Sequence, residues 1–179
     1  MLHIRPATPA DVPTILRFIR ELAEYERALD HVQATEADLL RDGFALAPDA
    51  QTPLDPAPRP RFRALMADWS STPGSGPQPA GFALFFESYS TWVGHHGIRL
   101  EDIYVTPALR GEGIGKALLA ELARITVAEG CTRLEWDVLT WNQPALDFYA
   151  RIGAVMQDEW RIMRVSGEAL GALSQSERV

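Results

Sequence analysis

A single cysteine, Cys131, occurs in the 179 residues. No internal disulfide can staple the fold, and a reducing, cytoplasmic setting is the simplest home. No apolar run approaches the length of a bilayer crossing, and Met1 to Thr8 has nothing of a secretion signal. Positive charge is short: 17 Lys and Arg stand against 24 Asp and Glu, a net charge of −7. That balance argues against a general nucleic-acid binder and is weakly compatible with a cationic ligand. Histidine is scarce as well. The pair His95-His96 lacks a third ligand at metal spacing and reads as plain turn residues, with no metal expected. What the chain does have is apolar content of 46%, enough to bury a sizeable core in one α/β domain over residues 1–179.

The rest is organised around Leu100 to Leu122. Ile103, Tyr104 and Val105 read as a strand that Pro107 cannot simply continue. Arg110-Gly111-Glu112-Gly113-Ile114-Gly115-Lys116 follows, and then Leu118, Leu119, Leu122 and Ile125 recur with Ile114 at helical spacing. A strand, a glycine-rich turn and a helix start together make a phosphate cradle, because the first helical N–H groups have no internal partner and the helix dipole favours anions. The dinucleotide fingerprint fails because its third glycine comes a residue early. The P-loop fails because Ala117 follows Lys116. A turn that holds no ligand is the alternative, disfavoured because alternate glycines at a helix start cost stability.

In chain order, Leu2–Arg5 predicts a strand. Thr8 predicts a helix cap, with Pro9 and Asp11 in the first turn and an apolar face of Val12, Ile15, Leu16, Ile19, Leu22 and Ala23 as far as Arg27. Thr35-Glu36-Ala37-Asp38 starts a second helix that Gly43 is expected to stop. The proline-rich span 45–60 reads as an exposed loop. Strands are expected over 61–69 and 81–89, the first joined to the second through the turn residues 70–79, and a turn over 92–97 leads into the central strand, all antiparallel neighbours. Residues 132–139 predict a further strand. Asn142 predicts the cap of a helix that Gly153 ends, residues 160–165 a last strand, and 166–173 a short helix.

This order, with R-G-x-G-x-G after the central strand, resembles the GNAT acetyltransferases. The resemblance extends along nearly the whole chain to their diamine acetyltransferase branch. It is carried by Ile4-Arg5-Pro6-Ala7-Thr8, Leu22-Ala23-Glu24-Tyr25-Glu26, Asp42-Gly43-Phe44, Leu100-Glu101-Asp102, Trp141-Asn142-Gln143-Pro144 and Phe148-Tyr149. Tyr89-Ser90-Thr91-Trp92 and the run from Leu100 to Val105 are similar to the thialysine acetyltransferase type within it. Departures fall in the 45–60 loop, at 70–79, and at Thr140, where an acidic residue is expected.

The resemblance implies a mixed, mostly antiparallel sheet flanked by helices, acetyl-CoA as cosubstrate, a small-molecule amine as acceptor, and a homodimer. An alkylamine near pKa 10.4 is protonated at neutral pH and must lose a proton before it attacks a thioester. By resemblance Glu101 takes that proton, directly or through water. Ile103, Tyr104 and Val105 hold the pantetheine arm. Arg110, Gly111, Glu112, Gly113, Ile114, Gly115 and Lys116 hold the pyrophosphate, with Asn142, Ala145, Tyr149 and Arg151 completing the cosubstrate's contacts. Tyr149 is the expected acid for the departing thiolate; a core aromatic on an amphipathic helix is its other reading, and a solvated helix-face arginine is that of Arg151. Tyr25, Glu26, Ser90, Trp92, Glu101 and Asp158 are expected to line the acceptor groove, with Ser90 favouring lysine-like amino acids over long polyamines. Transfer to protein lysines or N-termini, and a non-catalytic sensor of CoA or polyamine, stay open beside this reading.

Overall fold

A computed structural model of the chain describes residues 1–49, 51, 53, 59–72 and 74–176. Residues 50, 52 and 54–58 of the expected 45–60 loop lie outside the described residues. The chain divides into two compact units, Met1–Asp137 and Val138–Val179.

In the first unit, β1 (Leu2–Pro6) is followed by a 3-10 turn, Pro9–Asp11, and by α1 (Val12–Tyr25). Then come α2 (Glu36–Phe44), β2 (Arg63–Trp69), β3 (Gln78–Ser90), β4 (His95–Val105), α3 (Ile114–Ala128) and the two-residue β5 (Leu134–Glu135). Among the described residues the sheet has five strands in the order β1-β2-β3-β4-β5. The first three pairings are antiparallel and β4–β5 is parallel. This is the mixed, mostly antiparallel sheet that the sequence predicts.

Both faces of the sheet are covered, which is why β2 and the first half of β3 are buried on successive residues instead of alternate ones. One face carries a core of Val12, Ile15, Leu16 and Phe18 from α1 and Leu39 and Leu40 from α2, against Ala64, Met66, Phe82, Leu84 and Tyr104. Phe18 falls outside the face read from the sequence. It nevertheless stacks on Phe82 at 5.9 Å and tilts against Tyr104 at 5.4 Å.

The entry to α1 is fixed by charge. Arg5 donates from Nη1 and Nη2 to Asp11 at 2.7 and 2.8 Å and from Nε to Asp68 at 2.7 Å. Asp11 also accepts from the Thr8 N–H and hydroxyl. One guanidinium thereby ties β1, β2 and the start of α1 together. The helix ends at Tyr25, two residues before the expected Arg27. Arg27 takes the left-handed conformation at φ 60°, and the Ala28 N–H reaches back to the Ala23 carbonyl at 2.8 Å.

Three further boundaries differ from expectation. Gly43 lies inside α2, where a Cβ would sit 2.6 Å from the Phe62 ring; it is there for close packing, and Ala45 at φ 56° makes the helix cap. His95, His96 and Gly97 belong to β4, because the turn closes earlier, with the Gly94 N–H on the Ser90 carbonyl. Trp136 to Leu139 do not extend β5, whose pairing with β4 ends at Arg99 and Glu135.

The second unit holds α4 (Gln143–Arg151) and α5 (Gly167–Ser174). Residues 160–165, expected as a strand, are not one. No strand is present among this unit's described residues, and a short apolar segment needs a partner to become a strand.

Candidate functional site

The site begins with a defect in β4. Leu84 of β3 pairs with Asp102, and the next residue, Phe85, pairs with Leu100. Glu101 is left over as a β-bulge. One extra residue reverses everything downstream. Upstream, the Ile98 N–H donates toward β5, to the Arg133 carbonyl at 2.9 Å. Downstream, the Thr106 N–H donates toward β3, to the Ala80 carbonyl at 2.9 Å, and the Tyr104 carbonyl also faces β3, beside Gly81. Successive residues of a strand alternate, so Ile103 and Val105 point their N–H groups away from β3. Pairing with β5 covers only Ile98 and Arg99. From the bulge onward, β4 therefore presents an open backbone edge.

The edge leads into the phosphate-type cradle. Gly111 and Gly113 have φ of 89° and 81°, which other residues adopt only with strain, and a Cβ on either would meet nothing within 4 Å. Gly113 caps α3 without a side chain, and the first helical bond is that from the Ala117 N–H to the Gly113 carbonyl, 3.0 Å. The N–H groups of Ile114, Gly115 and Lys116 precede that bond and have no acceptor within the helix, at the positive end of its dipole. Gly115 faces Val105, where a Cβ would lie 3.8 Å from the Val105 Cγ2. Edge and cradle thus suit an extended ligand with amide groups and a phosphate end, and the residues present fit a CoA thioester.

The bulge also gathers carboxylates. Asp102 sits across from Leu84, and so on the core face that holds α1. Removal from water pushes its carboxyl up to about 6, and the neighbouring charges of Glu101 and Glu26 add to the rise. Partial burial raises Glu26 as well. Glu101 is exposed. Tyr104 is buried, its phenol pushed up to about 12 first by burial and then by its hydrogen bond with Glu21. Of the three residues expected along the cosubstrate, Ile103 and Val105 face the open edge, whereas Tyr104 has its ring in the core and its carbonyl toward β3. Arg110 lies with its guanidinium 5.0 Å from the Tyr25 ring centre and 5.9 Å from that of Tyr104, and its Nε donates to the Val105 carbonyl at 3.2 Å.

Ser90 and Trp92 are elsewhere. Ser90 pairs with His95 at the far end of β4, five pairs from Leu100 and so roughly 17 Å away at strand rise. It is buried, and its hydroxyl accepts from the Val93 N–H at 3.3 Å. Trp92 is 87% exposed on that turn. In the second unit Asn142 caps α4 by accepting from the Ala145 N–H at 3.4 Å. Tyr149 is half-buried with its ring tilted against Phe148, and Arg151 and Asp158 are exposed. Among the described residues no group of three His, Cys, Asp or Glu side chains is placed to hold a metal.

Sequence reasoning missed Asp102. The signal was available: this carboxylate falls two residues before Tyr104, an aromatic that reads as core, and so shares its face of the strand.

A half-paired strand, an uncapped glycine-bearing helix start beyond it and carboxylates alongside define a class: enzymes that lay an extended, phosphate-ended cosubstrate along one strand and present its far end to an acceptor. The Acetyltransferase (GNAT) family pattern matches residues 34–154, and the chain belongs to that family of N-acetyltransferases. It is 41% identical to a thialysine N-epsilon-acetyltransferase of Bos taurus, over 96% of each chain. It is 34% identical to an L-ornithine N5-acetyltransferase of Arabidopsis thaliana, over 97% of this chain and 88% of the other. The fold matches an integron cassette protein from the mobile metagenome of V. cholerae with a TM-score of 0.73 and 22% identity, covering 98% of both. GNAT acetyltransferases use acetyl-CoA, and no helix among the described residues is long and apolar enough to cross a membrane.

Proposed function

We propose that the chain transfers the acetyl group of acetyl-CoA to a primary amine of a small molecule, a lysine-like amino acid or a short diamine or polyamine. The observation that carries this reading is the bulge at Glu101, which frees the edge of β4 and sets Glu101, Asp102 and Glu26 beside it. The named relatives, acting on thialysine and ornithine, support an amino-acid acceptor.

Bound acetyl-CoA supplies an activated acyl group. The chain does the rest. Ile103 and Val105 hold the pantetheine amides by strand-like hydrogen bonds. The amides of the Gly111–Lys116 loop take the pyrophosphate. Asp102 and Glu26 draw the cationic acceptor, and Glu101, exposed at the bulge, accepts its proton directly or through water. Tyr149 donates a proton to the leaving thiolate, Asn142, Ala145 and Arg151 add cosubstrate contacts, and Asp158 an acceptor contact. We read the two units as one catalytic domain, in keeping with a family match that spans their boundary. We also read a cytoplasmic homodimer. At roughly 17 Å from the bulge, Ser90 and Trp92 reach an acceptor only if it is bound by a second copy, and the exposed Tyr89, Trp92 and Val93 on that turn are apolar enough to be covered by one.

The test is thiol release from acetyl-CoA over a panel of diamines, basic amino acids and peptides. Turnover with small amines is expected. Release with peptides alone would make the chain a protein acetyltransferase, and CoA binding without release in any mixture would make it a sensor.

A further inference from the structure

We propose that Arg110 is a positioning residue for the acceptor side of the site, which the loop motif would assign to the cosubstrate's phosphates. This rests on the acetyl-transfer reading above. Three contacts place it. Its Nε–H is committed to the Val105 carbonyl, and its planar face lies over Tyr25 and, more distantly, Tyr104. A guanidinium over an aromatic ring gains ring-quadrupole attraction, and it does so best when the plane is held by a hydrogen bond. Tyr25 is the last residue of α1 and Glu26 caps it, so the side chain that pins Tyr25 also fixes the carboxylate that follows. The left-handed turn at Arg27 leaves that helix end little freedom of its own.

Arg110 has a second effect on the same geometry. The Val105 carbonyl is the last acceptor on the open edge of β4, and Arg110 occupies it. An extended chain bonded to Ile103 and to the Val105 N–H must therefore leave the edge there and turn toward Gly111. The loop's first residue thus marks where the cosubstrate leaves the strand, while it braces the wall against which the amine is held.

The experiment compares Arg110→Ala, Arg110→Lys, Tyr25→Leu and the double variant by three readouts: acetyl-CoA affinity by calorimetry, acceptor KM, and Tm. Loss of a contact of this kind is expected to raise acceptor KM by about 3- to 30-fold, with acetyl-CoA affinity within about 2-fold. The double variant should be no worse than either single one, and lysine should restore part of the loss. A fall in acetyl-CoA affinity with an unchanged acceptor KM would overturn the proposal and return Arg110 to the phosphates. So would a Tm loss with neither constant moved. If no amine is turned over, the acetyl-transfer reading fails by itself. The pinning is then read from the ring signals of labelled tyrosine, four in the chain: the Tyr25 signal must move in Arg110→Ala, and an unmoved signal sinks the proposal.

Discussion

Asp11 and Asp102 are carboxylates withdrawn from water in the same unit, and they are treated in opposite ways. At the N-terminal corner, Arg5 meets Asp11 with two hydrogen bonds, and these hold its carboxyl down to about 2 despite burial. At the bulge no cation is among the causes that act on Asp102. Burial comes first, the like charges of Glu101 and Glu26 add to it, and the carboxyl is pushed up to about 6. The corner spends its charge on joining three elements. The bulge keeps its charge available for an incoming cation. Like-charged, unneutralised carboxylates are poor for stability and good for capturing an ammonium group, so the contrast separates a group that holds the fold from one placed for the proposed reaction.

Substitutions on the two sides should sort accordingly. The largest effect is expected from Glu101→Gln, which keeps shape and removes proton acceptance. Turnover at neutral pH should fall by about 10²- to 10⁴-fold and recover in part at higher pH, where the amine loses its proton unaided. Asp11→Asn, assayed while folded, should leave kcat near wild type. A pH–rate profile of Glu101→Gln that overlays wild type would dissolve the distinction.

Next is Arg5→Met. It strands Asp11 and Asp68 and should cost about 3 kcal/mol in denaturant unfolding at pH 7. Because the Asp11 carboxyl is depressed in the folded chain, its contribution is present above its unfolded value near 3.8 and disappears as pH falls toward about 2. Wild type and variant should therefore converge in acid.

Asp102→Asn should do the opposite. Its raised carboxyl costs the folded state nothing below the unfolded value near 3.8, and the cost grows as pH rises through about 6 and then levels. The variant should match wild type at pH 4 and gain roughly 1–2 kcal/mol by pH 7, while acceptor kcat/KM falls. A variant less stable at pH 7 than at pH 4, relative to wild type, would place Asp102 with Asp11. The smallest effect is that of Glu26→Gln, which removes one of the two like charges beside Asp102. The acid limb of acceptor kcat/KM should move to lower pH, and an unmoved limb would show that Glu26 does not act on this cluster.

Most of the fold was legible where the signal was local. The Arg110–Lys116 loop, the capping box at Thr35 with Asp38, and the Asn142 cap each involve residues within a few positions of one another. The bulge was not legible, because it follows from pairing with a strand more than ten residues away, and Leu100-Glu101-Asp102 reads as unbroken strand without it. Residues 160–165 are rich in strand-favouring residues yet form no strand, since pairing cannot be read from one segment alone. Gly43 was taken for a stop because the ring of Phe62, nineteen residues on, left no trace near it. Of the candidate site, Ile103, Val105 and Glu101 are expected by resemblance, and the structure puts the first two on the open edge and the third at the bulge; Asp102 is not among the expected residues because its neighbour Glu101 is given the carboxylate role. Ser90 was read as a groove residue, and its buried, turn-forming hydroxyl is a property of the β3–β4 connection.

Glu101 is also surplus to the sheet. Removing that one residue leaves Phe85 opposite Leu100 and Leu84 opposite Asp102, so the ladder closes without shifting any other pair. Removing Asp102 instead closes the same ladder, with Glu101 taking the place opposite Leu84 and Ile103 still opposite Ala83. Either deletion should therefore fold into a straighter strand that has lost the exposed carboxylate of the bulge. The residue proposed as the proton acceptor thus occupies a position whose loss the architecture can absorb, so it could be gained or discarded in a single step without rebuilding the sheet around it.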